Sequence, residues 1–146
     1  MGATLPYVIR LLALLLVFTL GGACAHTQKK SDPQSLRPVV ENFHKRVRWK
    51  DYRFAARYIV PERRQDFERA LRERKDERDL DITDYEIEEV QFVQEGERAI
   101  VTSRFKWTRL PSMSEQTDIV TSEFVYRNGV WMLEKQQGGP FDGDLP

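Results

Sequence analysis

The chain has 146 residues, with 23 Lys and Arg against 23 Asp and Glu, a single cysteine and two histidines. A lone thiol closes no internal disulfide, and without a His pair or a second Cys a transition-metal site lacks its usual ligands, so disulfide scaffolds and zinc-type enzymes are excluded. The neutral total hides a division: residues 35–78 carry 14 basic against 8 acidic side chains, and residues 79–146 carry 6 against 14.

The N-terminus has the pattern of an export signal. Arg10 precedes the run Leu11–Leu20, which is shorter than the roughly 20 residues a bilayer span requires, and Gly21, Gly22 and Ala23 follow it. Directly after these small residues stands Cys24. That position resembles the acceptor site of a bacterial lipoprotein, although the leucine usual three residues before the acceptor is Gly21 here and Leu20 lies one further back. The resemblance implies a signal over residues 1–23, a lipid of palmitate type on Cys24 holding the protein to the membrane, and, since no Asp follows Cys24, the outer membrane facing the periplasm. Two other readings stand beside it. Ala23 and Ala25 also form the small-x-small pattern of ordinary cleavage before His26, giving a secreted or periplasmic product, and an uncleaved anchor is the third. Residues 24–34, with His26, Lys29, Lys30 and Pro33, form a polar tether.

About 110 residues remain, enough for one domain with its own core. Its basic half is helical by period. Leu36, Val39, Val40, Phe43 and Val47 share one stripe, with Ser35 as cap and Pro38 in the first turn. A short second helix follows Asp51, burying Tyr52, Ala55, Ala56 and Ile59. Pro61 opens a third that runs to about Asp76, with Phe67, Ala70, Leu71 and Arg74 inward.

In the acidic half the period falls to two. A strand over Ile82–Gln94 slips by one residue at Glu88 and Glu89, which predicts a bulge. Glu95 and Gly96 turn into a second strand, Arg98–Arg109, with Ala99, Val101, Ser103, Phe105 and Trp107 on one side. Pro111–Glu115 form a longer turn. Strands Asp118–Tyr126 and Val130–Gln136 follow, joined by the hairpin pair Asn128–Gly129, and residues 137–146 form a flexible tail. The expected class is α+β, with three N-terminal helices packed on a curved four-stranded antiparallel sheet.

The helix around Val39–Val47, the stretch Trp49, Lys50, Asp51, Tyr52, Ala55, Ala56, Tyr58, the turn Glu95–Ala99 and the closing Asn128–Trp131 together resemble the NTF2-like superfamily. Over residues 35–136 the resemblance implies a cone with a cavity between the first helix and the sheet. Its members include isomerases, cyclases and non-enzymatic modules, so it assigns no activity. The expectation is an envelope lipoprotein whose NTF2-like domain is a non-catalytic binding or accessory scaffold; the alternative is a periplasmic small-molecule binder or isomerase-like enzyme using the cone cavity.

His44 is the one histidine of the folded part and lies at the border of the buried stripe. With Tyr85, Phe105 and Trp107 it forms the candidate pocket lining, and no partnered acid or base marks it as catalytic. Trp49, Trp107 and Trp131 are simplest as core or sheet-face residues. Asp79, Asp81 and Asp84 lack the loop spacing of a calcium site and form a solvated edge, so no metal or cofactor is expected. Arg63, Arg64, Arg69, Arg72, Arg74, Lys75 and Arg78 make a candidate basic surface for anionic lipid or an acidic envelope protein. Nucleic acid does not suit an exported chain. Ile100, Thr102, Arg104 and Lys106, with Ile119 and Val125, form an outer sheet face through which two copies could dimerise.

Overall fold

The computed structural model describes residues 31–143. Cys24, the signal segment and most of the tether lie outside the described residues. Four helices, α1 (Leu36–Arg48), α2 (Tyr52–Ala55), α3 (Pro61–Arg74) and α4 (Asp76–Asp79), precede four strands, β1 (Leu80–Val93), β2 (Arg98–Arg109), β3 (Ser112–Arg127) and β4 (Val130–Gln137).

Helix α1 follows its sequence stripe: Leu36, Val40, Phe43 and Val47 are all buried. Its expected cap is not used. Ser35 Oγ instead donates to the Asp32 carbonyl at 2.6 Å, while Asp32 caps the preceding turn by accepting from Gln34 N. The helix closes when Lys50 takes a left-handed φ of 59°, letting the amides of Trp49 and Asp51 reach the Lys45 and Arg46 carbonyls at 3.1 and 2.8 Å. Pro61 starts α3 with φ already set for a helix. Left-handed Lys75 ends it one residue before the predicted boundary, and the single turn of α4 follows.

The strands form an antiparallel meander in the order β1-β2-β3-β4. The bulge read at Glu88 is present between Ile87 and Glu89, and a second lies at Thr83. Leu110 and Pro111 alone turn β2 into β3, so the longer turn expected over Pro111–Glu115 is instead the start of a 16-residue strand. Asn128 and Gly129 both have positive φ and close the last hairpin as predicted.

The cone expected from the NTF2-like resemblance is not formed. β1 and β4 are not hydrogen-bonded to each other, although the Phe92 and Trp131 rings approach to 6.0 Å across the inner face, so the sheet is open and the predicted three-helix cone is corrected to four helices on an open sheet. Edge pairing explains this. Beside β4, Val60 N donates to the Leu133 carbonyl at 2.9 Å, which covers that edge; the two bulges of β1 twist the other edge away from regular pairing.

The tail expected to fray belongs in part to the core. Phe141 has no exposed surface and packs against Phe67 and Tyr52 at ring distances of 5.8 and 6.3 Å. Gly138 makes the turn that brings it there, with φ of 81° and an ideal Cβ only 2.5 Å from the Ile119 carbonyl oxygen. Gly129 shares the positive φ but has nothing within 4 Å of its Cβ position. Gly129→Ala should therefore cost about 1 kcal/mol, the left-handed penalty alone, and Gly138→Ala at least ~2 kcal/mol, since backbone must also move. Urea unfolding of the two variants checks this; equal losses would contradict the close approach at Gly138.

Candidate functional site

Three of the four residues expected to line a pocket do come together. His44 packs edge-on against Tyr85 and Phe105, with ring centroids 5.1 and 5.0 Å away. Trp107 stands apart, its indole N–H donating to Asp118 at 2.8 Å and its ring beneath the Arg109 guanidinium. The cluster fills space rather than lining it. His44 is completely buried, not at the border of its stripe, and neither ring nitrogen has a hydrogen-bond partner among the described residues. Burial alone lowers its pKa from 6.5 to about 3, so the imidazole is neutral. Ser103, Ser122 and Gln136 are also buried on the inner sheet face with unpartnered side-chain polar atoms, and Ser122 lies opposite Gln136.

A second buried polar group secures the tail. Asp76 has no exposed surface, and its Oδ1 is 3.0 Å from Arg109 Nη2. Burial raises the Asp76 carboxyl pKa, opposed chiefly by the Arg109 charge. Arg109 also donates to the Pro140 carbonyl at 2.8 Å, and Arg74 to the Asp142 carbonyl at 2.9 Å. Burial and the nearby Asp76 push the Tyr52 hydroxyl above its ordinary value. This set of contacts holds Phe141 in place.

An accessible, largely apolar concavity lies elsewhere. A groove of about 500 Å³ separates the N-terminal half of α1 from the far half of β1, with Leu36, Val40, Ile87, Val90 and Phe92 along it and Arg37, Glu88 and Glu89 at its rim. Val90 and Phe92 point to the inner face yet remain 41% exposed each. The helix covers β1 at Tyr85, and beyond the Glu88 bulge it stands off from the strand, where Phe92 keeps one ring contact, with Trp131 of β4 at 6.0 Å. From Glu89 to Val93 the pairing with β2 is regular, and among the described residues no strand lies on the other side of β1. Residues 80–97 contain seven acidic side chains and no basic one. Lys50 pairs with Asp81, and Arg104 with Glu86 and Glu88, whereas Glu89, Glu95 and Glu97 have no ion-pair partner among the described residues.

The basic surface expected on α3 is largely consumed by structure. Arg64 donates to the Ile59 carbonyl at 2.9 Å, Arg69 and Arg78 pair with Asp66 and Asp79, and Arg74 binds tail carbonyls. Arg63, Arg72 and Lys75 are left without an ion-pair partner among the described residues. A denser basic region, missed in the sequence, surrounds the end of α1: Trp49, expected in the core or on a sheet face, is 73% exposed there. The outer sheet face, expected as a dimer surface, exposes half of Ile119 but buries Val125. Ion pairs cross it from Arg98 to Glu134 and from Glu134 to Arg127.

No family model and no curated protein sequence matches the chain. One solved structure that does match is the solution structure of a SEC-C motif containing protein from Rhodopseudomonas palustris, 20% identical, with a TM-score of 0.55 over 79% of this chain and 84% of that one. The likeness is one of fold alone. It replaces the NTF2-like assignment, and with it go both the envelope lipoprotein with an NTF2-like scaffold and the cone-cavity binder or enzyme: the sheet is open, and the space beneath the second half of α1 is filled by His44, Tyr85 and Phe105. Among the described residues no helix is long and apolar enough to cross a membrane.

His44 makes the fold pH-dependent. Its folded pKa of about 3 lies below the unfolded 6.5, so the unfolded chain takes up the proton first. Stability from this group is complete above pH 6.5 and falls toward pH 3, by at most ~1.4 kcal/mol per pH unit. His44→Leu removes that dependence, so urea unfolding should show the variant gaining on wild type as pH drops from 7 to 4. A constant difference would mean that His44 is not held neutral.

Proposed function

We propose that this domain is a peptide-binding module. An extended segment with alternating apolar and basic residues adds as a strand along Glu89–Val93 and sets its apolar side chains into the groove. The observation that carries this reading is the exposure of Val90 and Phe92 in an apolar groove beside an unpaired strand edge. Backbone pairing would supply affinity, the groove would select apolar side chains at every second position, and Glu89, Glu95 and Glu97 would favour Lys and Arg between them. The reading is of binding rather than catalysis, supported by the sealing of His44 and Asp76 from solvent. We also propose that Arg10 and Leu11–Leu20 direct the chain to the cell envelope, where its ligand would be found.

Fluorescence anisotropy with an alternating Lys-Val octapeptide and a Glu-Val counterpart tests the module. The basic peptide should bind and the acidic one should not, and Phe92→Glu should weaken binding by about tenfold or more, the worth of one buried aromatic contact. Equal binding of the two peptides, or indifference to Phe92→Glu, would contradict the proposal.

A further inference from the structure

The end of α1 carries an exposed aromatic pair within a concentration of positive charge. From Lys45 to Arg57 the chain has six Lys and Arg and one acid, Asp51. Trp49 is the C-cap residue of α1, and the turn that presents it is rigid: its own amide and that of Asp51 bond back to the helix, and Lys50 is tied to Asp81 at 2.8 Å. The exposure of Trp49 is thus set by a fixed helix end. Phe54, 41% exposed, lies beneath two guanidiniums, with Arg57 Cζ at 4.4 Å and Arg46 Cζ at 5.3 Å from its ring centroid. Arg46, which reaches over Phe54 and pairs with Asp51 at 2.6 Å, stands three residues before Trp49, a spacing that brings the two aromatics to the same end of the helix. Lys45, Arg48 and Arg53 are exposed around it and have no ion-pair partner among the described residues.

We infer that this patch docks the domain on an anionic lipid surface, with Trp49 entering the interfacial layer and Lys45, Arg48, Arg53 and Arg57 meeting the headgroups. Trp is favoured at that depth because its ring is apolar and its N–H can stay hydrated. Each basic side chain near such a surface adds attraction that is screened over roughly 10 Å at ordinary salt. Two observations favour lipid over nucleic acid. Phe54 is occupied by guanidiniums, which leaves Trp49 as a single free ring rather than a row of stacking platforms, and the run Leu11–Leu20 behind Arg10 is of the kind handled at membranes.

The full chain is used for the test, with vesicles carrying brominated acyl chains as the probe. Fluorescence quenching in wild type, less that in Trp49→Phe, isolates Trp49 from Trp107 and Trp131 and from any membrane contact of the N-terminal segment. Trp49 should be quenched on phosphatidylglycerol-containing vesicles at low salt, several-fold less at high salt, and little on pure phosphatidylcholine. Arg53→Glu with Arg57→Glu, both exposed positions, should lower the quenching at least about tenfold at limiting lipid. The inference is overturned if Trp49 is unquenched on anionic vesicles, if neutral vesicles quench it equally, or if the charge reversal has no effect. It is likewise overturned if Trp49 responds to single-stranded RNA while ignoring anionic lipid.

Discussion

Phe43 and His44 are neighbours on α1, and both are fully buried, although consecutive helical positions point about 100° apart. Phe43 turns toward Phe67 of α3, with ring centroids 6.5 Å apart, and His44 turns down onto Tyr85 and Phe105 of the sheet. That turn of α1 is therefore clamped on two sides. Burial of the Phe43 ring contributes about 2 kcal/mol or more, and the two unpartnered nitrogens of His44 cost roughly 1–3 kcal/mol, a cost reduced by the neutral state. The clamp is sound but not optimal, and a residue without polar atoms would hold the same place better.

Because the clamp sits in the second half of α1, the two ends of the helix have different surroundings. At the N-terminal end, Leu36 and Val40 face a strand that bulges at Glu88, and helix and strand leave the groove between them. At the C-terminal end, the left-handed Lys50 stops the helix and leaves Trp49 outside the core. A 13-residue helix is about 20 Å long. On this account the lipid-facing patch and the peptide groove lie at opposite ends of one rigid rod, so either could be occupied without blocking the other. The division of charge follows the same axis, with acids along β1 and cations around α1's end and α2.

Much of the local structure was legible in the sequence because it depends on local rules. The α1 stripe, the strand alternation of β2, the slip at Glu88 and the Asn128–Gly129 hairpin each follow from period or backbone preference alone. What was missed depends on distant partners. Closure into a cone is decided by whether β1 and β4 meet, and no short pattern states that Ile59 and Val60 will cover β4 first. Phe141 looked like part of a polar tail, since its neighbours are Gly, Pro and Asp; its burial needs Arg74, Arg109 and Asp76, remote in sequence. For Trp49 a signal was present. It falls outside the apolar stripe of α1 and among Arg48, Lys50 and Arg53, which marks a surface position more strongly than its size marks a buried one. The arginines of α3 show the reverse error, because charge counts do not reveal which guanidiniums are engaged by carbonyl groups.

The central claim is that α1 seals the middle of the sheet and leaves the far half of β1 open. Hydroxyl-radical footprinting of the wild-type protein, read out by mass spectrometry at each aromatic side chain, tests it most directly. The account predicts ready oxidation of Phe92 and Trp49, with Phe43, Phe105 and Phe141 protected until the protein unfolds. Protection of Phe92 to the level of Phe105 would mean a closed structure over β1 and would contradict it.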